Sequence, residues 1–227
     1  MKKNVILTTL INHFFAFDDE MGNQEEYPID EFIGYLNSKS GNQELLMREI
    51  SGENKEWLKD EYRSSETDIS ILIVLMNHYA KWYIKKVLRE SHLQTPDEFS
   101  FLITLMTYDS LSKSELITKQ VMEKTSGTEV IRRLIKRGMI VESADENDRR
   151  SIRVSITRSG REELLRILPQ MSKVTKIVVG NLSSEEIRTL SYLLKKLDYF
   201  HNDIYMNKRG YDLSDILSGL QILKTDL

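Results

Sequence analysis

The chain has 227 residues, 40% of them hydrophobic and 30% charged, with only ten glycines and three prolines; it can bury a core, and it favours long helices over a turn-rich β-sandwich. The absence of cysteine excludes disulfides, thiolate metal sites, iron–sulfur clusters and a thiol redox switch, and is consistent with a cytoplasmic protein. The formal net charge is −3, but residues 1–65 hold thirteen acids against seven bases while residues 124–158 hold nine bases against five acids, a basic patch in an acidic chain that favours a polyanion partner.

Lys2-Lys3 followed by Val5 to Leu10 has the outline of a secretory leader, but Asn12 and His13 interrupt it and no small-residue cleavage site follows Phe17. The segment reads as a helix with Val5, Ile6, Leu7, Leu10, Ile11, Phe14, Phe15 and Phe17 as its apolar residues. Pro28 suits the first turn of a second helix ending near Ser38. A third helix is predicted over Gln43 to Ile50, and Trp57 with Leu58 would anchor another. No stretch is apolar for long enough to span a membrane.

From Asp68 to Leu88, apolar residues recur at three- and four-residue spacing, with Ile71, Leu75 and Trp82 off the main stripe. A helix so widely apolar needs more than one packing partner, and a dimer would supply one. Thr95-Pro96-Asp97 then marks a boundary, and a helix follows to about Asp109. Ser112 and Glu115 have capping-box spacing and open a short helix to about Met122. The next helix begins near Thr125 and stops at Gly138. Met139 to Val141 and the alternating Ser151 to Ile156 form a β-hairpin around a charged tip. Thr157 caps a long helix with the stripe Leu164, Leu168, Met171, Val174 and Val178. Ser183 and Glu186 form a second capping box, and a last helix is predicted over Leu213 to Leu223.

Helix, short helix, turn, helix and hairpin are the parts of a winged helix-turn-helix. On the helix from Thr125, the residues Gly127, Val130, Ile131, Leu134 and Ile135 fall on one face and a polar, mostly cationic set falls on the other. Residues at the start of such a helix reach deepest into the major groove, which assigns base contacts to Lys124, Thr125, Ser126, Thr128 and Glu129. Arg132, Arg133 and Lys136 are assigned to phosphates. The hairpin tip, Asp148-Arg149-Arg150, suits a minor groove with focused negative potential. By itself the helix favours the reading of a plain amphipathic surface helix; the hairpin directly after it shifts the balance to DNA.

The run from Leu134 to Gly160, with Gly138, Asp145, Asp148, Arg149, Arg150, Thr157 and Gly160, resembles the signature of the MarR family of bacterial regulators. Leu182 to Leu197 resembles a helix of that family's dimerisation region, and the resemblance extends from about Asp68 to Ile204. It implies a mainly α fold with a small β-hairpin wing: a winged helix-turn-helix over 96–157, a helical dimerisation region from 66–95 and 158–227, and an N-terminal helical extension over 1–65. It also implies a homodimer on double-stranded DNA, an ion pair between Asp148 and Arg150 bracing the wing, and repression. Many members release DNA when a small, often phenolic, ligand binds between the dimerisation and DNA-binding regions. Two departures stand out. Ser143 replaces an arginine common at the wing base, and Gly127 replaces an apolar residue of the recognition helix, so packing there must differ.

Enzyme motifs are missing: there is no Gly-rich phosphate loop, no H-E-x-x-H and no G-x-S-x-G. Ser110-Leu111-Ser112-Lys113 has S-x-x-K spacing but reads as a helix start. The histidines, His13, His78, His92 and His201, are scattered singly, so neither a metal nor a cofactor is expected. A winged fold that serves protein contacts without DNA is the competing reading.

Overall fold

Four hydroxyl side chains set the starts of the helices. Thr95 accepts from the Glu98 amide, Ser112 from Glu115, Thr157 from Gly160 and Ser183 from Glu186, each satisfying an amide that the helix leaves unpaired. At Ser112 and Ser183 the glutamate also reaches back, completing the predicted capping boxes. The computed structural model describes residues 2–22, 24–40, 65–145 and 152–225. The helix predicted over Gln43 to Ile50, and the anchors Trp57 and Leu58, lie outside the described residues.

The chain divides into two units, Met1–Ser64 and Ser65–Leu227. The first holds α1 (Lys3–Met21) and α2 (Ile29–Ser40). Gly22 ends α1 at φ 84°, a left-handed conformation that favours glycine. The two helices meet through rings. Phe17 is buried, with Tyr27, Phe32 and Tyr35 at centroid distances of 4.9, 5.4 and 5.4 Å, and Phe14 stands edge-on to Phe32. The Tyr27 hydroxyl donates to the Asp18 carboxylate.

The second unit runs α3 (Ser65–Leu88), α4 (Pro96–Thr107), β1 (Leu111–Ser112), α5 (Lys113–Lys119), α6 (Lys124–Lys136), β2 (Ile140–Ala144), β3 (Ile152–Ile156), α7 (Arg158–Val178), α8 (Ser184–Asn207) and α9 (Leu213–Thr225). The hairpin expected from alternation is present, with Ile140 opposite Ile156 and Ala144 opposite Ile152. A third strand joins it: β1 pairs antiparallel with β3, Leu111 opposite Val154, giving the order β1-β3-β2. Two residues carry no alternation signal, so this strand is defined only by its partner.

Phe101, Leu102 and Leu105 of α4, Leu116 of α5, Val130, Ile131 and Leu134 of α6, Ile140 and Val154 of the sheet, and Leu164 of α7 form one buried core. On α7 the buried line is Leu164, Ile167, Met171 and Val174; Leu168 and Val178 of the predicted stripe stay exposed. Among the described residues, no helix is long and apolar enough to cross a membrane.

A buried carboxylate ties the α3–α4 loop to α7. Glu163 Oε1 accepts from the His92 amide at 2.8 Å and from Arg166 at 2.7 Å, while Oε2 faces His92 Nδ1 at 3.1 Å. Burial pushes this carboxyl up, but the hydrogen bonds from Arg166 and His92 outweigh it and bring it down to about 2.

Candidate nucleic-acid interface

The helix α6 is held by packing on one side and left open on the other. Gly127, Val130, Ile131 and Leu134 are buried, as the helical wheel requires, and α6 closes at Gly138 with φ 68°. Gly127 is explained by its neighbour: a Cβ there would lie 2.5 Å from Ile117 Cγ1, so α5 and α6 cross where only a hydrogen fits. The apolar contact usual at this helix position is thus supplied from α5.

The turn before α6 is fixed by polar contacts that the sequence reading missed. The Gln120 amide nitrogen donates to Thr104 Oγ1 at 2.7 Å, and its oxygen accepts from Ser100 Oγ at 2.5 Å. Val121 then takes φ 49°, which ends α5 at Lys119 rather than at the expected Met122. A β-branched residue in that region is strained.

Lys124, Thr125, Ser126 and Thr128 are exposed along the first turns of α6. The Thr128 hydroxyl donates to the Lys124 carbonyl at 2.7 Å, while Lys124, Thr125 and Ser126 make no side-chain bond among the described residues. Glu129 and Arg132 form a bidentate pair, with Nε and a terminal nitrogen both at 2.8 Å. The hydrogen bond from Arg132 holds the Glu129 carboxyl below the usual range. Lys136 is exposed and has no ion-pair partner among the described residues.

Arg133, assigned to phosphate from the sequence, is engaged inside the domain. Its Nε donates to Glu98 Oε1 at 2.8 Å, and Arg137 donates to Glu98 Oε2 at 2.6 Å. Glu98 is fully buried, and Oε2 also accepts from the Gln94 amide at 2.7 Å. Burial raises the carboxyl's pKa, but the Gln94 amide and the two guanidiniums more than offset it, so the group sits below the usual range and is ionised. The four-residue spacing of Arg133 and Arg137 signals a shared helix face; a partner 35 residues upstream of Arg133 is not readable from it.

The wing stem is described up to Asp145 and again from Ile152. Asp148, Arg149 and Arg150 lie outside the described residues, and with them the expected Asp148–Arg150 pair. At the stem, Lys113 of α5 pairs with Glu142 of β2 at 2.5 Å, and Arg153 of β3 bonds Ser110 and Asp145. Neither pair was anticipated. Ser143, in the position of the family's frequent arginine, is opposite Arg153 in the ladder, so a guanidinium is present at this level on the neighbouring strand.

A cleft of about 590 Å³ opens between α3, α4 and α7, lined by Ala80, Ile84, Phe99, Leu168, Met171 and Val178 among others. Its walls are mainly apolar. Among the described residues, no group of three or more His, Asp or Glu side chains is arranged to hold a metal ion.

This geometry has known counterparts. The model of the MarR family matches residues 95–152. The repressor NicR of Pseudomonas putida is 28% identical over 103 residues, 45% of this chain and 65% of its own length. The transcriptional repressor MprA of Escherichia coli K12 is 32% identical over 101 residues, 44% of this chain and 57% of its own. Neither curated relative is matched over two thirds of its length. The fold is shared with a crystal structure of a mutant MarR from E. coli complexed with operator DNA, at a TM-score of 0.55 and 22% identity, covering 62% of this chain and 97% of that one.

Proposed function

Since the chain belongs to the MarR family of winged helix-turn-helix transcription regulators, we propose that it is a homodimeric, sequence-specific DNA-binding repressor. The observation that carries the reading is the start of α6. Lys124, Thr125 and Ser126 are exposed and free of side-chain bonds among the described residues, on a helix whose opposite face is locked into the core. Small hydroxyls and an ammonium on a fixed helix suit base edges in the major groove. Two curated relatives are themselves named as repressors.

A second copy is called for by α8, a 24-residue helix with no buried residue in the single chain. Its Leu190, Leu193, Leu194 and Leu197 are all exposed, and such a stripe needs a partner. Two-fold pairing presents two recognition helices, so the operator is a pseudo-palindrome with half-sites about one DNA turn apart, roughly 10 bp. The cleft between α3, α4 and α7 suits a small aromatic effector, such as a phenolic acid, acting where the dimerisation and DNA-binding regions join.

Selection from a random duplex library at two salt concentrations tests the reading. A palindrome whose affinity falls steeply with salt is the expected result. Failure of a folded dimer to enrich any duplex would favour the winged module that serves protein contacts.

A further inference from the structure

Arg153 is the second residue of β3, on the face opposite the buried Val154. Its Nε donates to Ser110 Oγ at 2.8 Å, one terminal nitrogen donates to the Ser110 carbonyl at 2.7 Å, and the other reaches Asp145 Oδ2 at 3.1 Å. The last nitrogen also lies 3.9 Å from Glu115 Oε2, the carboxylate of the α5 capping box. One guanidinium therefore touches the residue just before β1, the first turn of α5 and the end of β2. The Lys113–Glu142 pair crosses the same seam with the charges reversed, its cation on α5 and its anion on the sheet.

Backbone alone holds this seam weakly. β1 has two residues, so its ladder with the wing's sheet is limited to Leu111↔Val154 and Ser112↔Arg153, while Ile140 and Val154 pack into the core from the sheet's other face. A two-stranded ribbon with so short a third strand twists easily. An exposed ion pair would add little, but Arg153 is half-buried and its bonds to Ser110 are directional, one of them to a main-chain carbonyl. A planar fork fixes direction in a way that a lysine ammonium does not.

We propose that Arg153 is a positioning residue for DNA binding. It sets the angle at which the wing leaves the helix-turn-helix, and so presents the segment carrying Arg149 and Arg150 to the duplex, without touching DNA itself. The inference rests on the DNA-binding reading given above.

A mutant cycle on the full-length chain tests it, using the selected operator duplex, with thermal melts in parallel. The four proteins are the wild type, Arg153→Ala, R149A/R150A and the triple variant. Arg153→Ala is expected to weaken binding about tenfold in the wild-type background and to add no loss to R149A/R150A, because a misdirected wing matters only while its tip is charged. Equal losses in both backgrounds, no loss on Arg153→Ala, or no loss on R149A/R150A would overturn it. Should Arg153→Ala not fold, Arg153→Lys, which keeps the charge and loses the fork, is expected to give a smaller loss with the same dependence on the tip. Wild-type protein that binds no duplex would overturn the DNA-binding reading and this inference with it; additive losses in a protein that binds overturn this inference alone.

Discussion

Arg133 Nε donates to Glu98 Oε1 across 2.8 Å, and that carboxylate has no exposed surface. A side chain so engaged ties α6 to α4, and it is expected to contribute no phosphate contact. Arg133→Ala is expected to lower stability by on the order of 1–3 kcal/mol, because it leaves one oxygen of a buried carboxylate short of a partner. The slope of log Kobs against log salt is expected to stay unchanged. Lys136→Ala, by contrast, should reduce that slope by roughly one per half-site at little cost in stability. Equal slope changes in the two variants would return Arg133 to the phosphate contacts.

Glycine is required at two crossings. At Gly127 a methyl would meet Ile117 side-chain carbons at 2.5 and 2.9 Å; at Gly160 it would meet the Met139 carbonyl oxygen at 2.2 Å. A side chain can shift and a carbonyl already paired in the backbone cannot easily do so. Gly127→Ala is expected to cost about 1–3 kcal/mol, and Ile117→Ala, which removes both contacting γ carbons, should relieve part of that clash. Gly160→Ala should cost more and find no such rescue. Denaturant unfolding of the four variants measures both effects and their coupling.

Glu163 gives the stability an acid limb. Its folded pKa is about 2, well below the free value of 4.5, so the ionised form is favoured by folding. The contribution is complete above about pH 4.5, shrinks as the pH falls, and is gone near pH 2. It amounts to on the order of 3 kcal/mol. Glu163→Gln is expected to be less stable at neutral pH and to lose less stability on acidification, as read by denaturant titration across that window. A mutant with the wild-type acid slope would place the effect elsewhere.

The exposed leucines of α8 predict an assembly. Leu194→Glu puts a charge in the middle of the stripe, and the protein is expected to become a folded monomer. Operator affinity should then drop sharply, because each half-site is bound alone. Sedimentation at several concentrations distinguishes this from a dimer held by another surface.

What the sequence made legible followed from periodicity and capping chemistry. The inner face of α6, the capping boxes at Ser112 and Ser183, the stop at Gly138 and the β-hairpin are all local patterns of a few residues. What it hid depended on distance along the chain. β1 exists only because Val154 pairs with Leu111, 43 positions away. Arg133 looks free until Glu98 is brought beneath it, and Gly127 looks like a defect until Ile117 fills the gap. The same applies to Phe17, legible as one apolar residue among several, which becomes the centre of an aromatic cluster only when α2 folds onto α1.

On the DNA-binding function proposed above, the internal pairing of α6 also bears on how an operator would be found. Of the basic side chains from Lys124 to Arg137, Arg132 is held by Glu129 while Arg133 and Arg137 are held by Glu98; Lys124 and Lys136 are left without an ion-pair partner among the described residues. Attraction to random DNA grows with the number of cations that displace counterions. A helix with three of these five cations already paired, two of them to a buried carboxylate, is expected to linger less on random duplex and to leave each wrong site sooner. Residence at the right site then depends on hydroxyl and amine contacts to the bases, which raises the ratio of specific to non-specific binding without requiring a tighter complex.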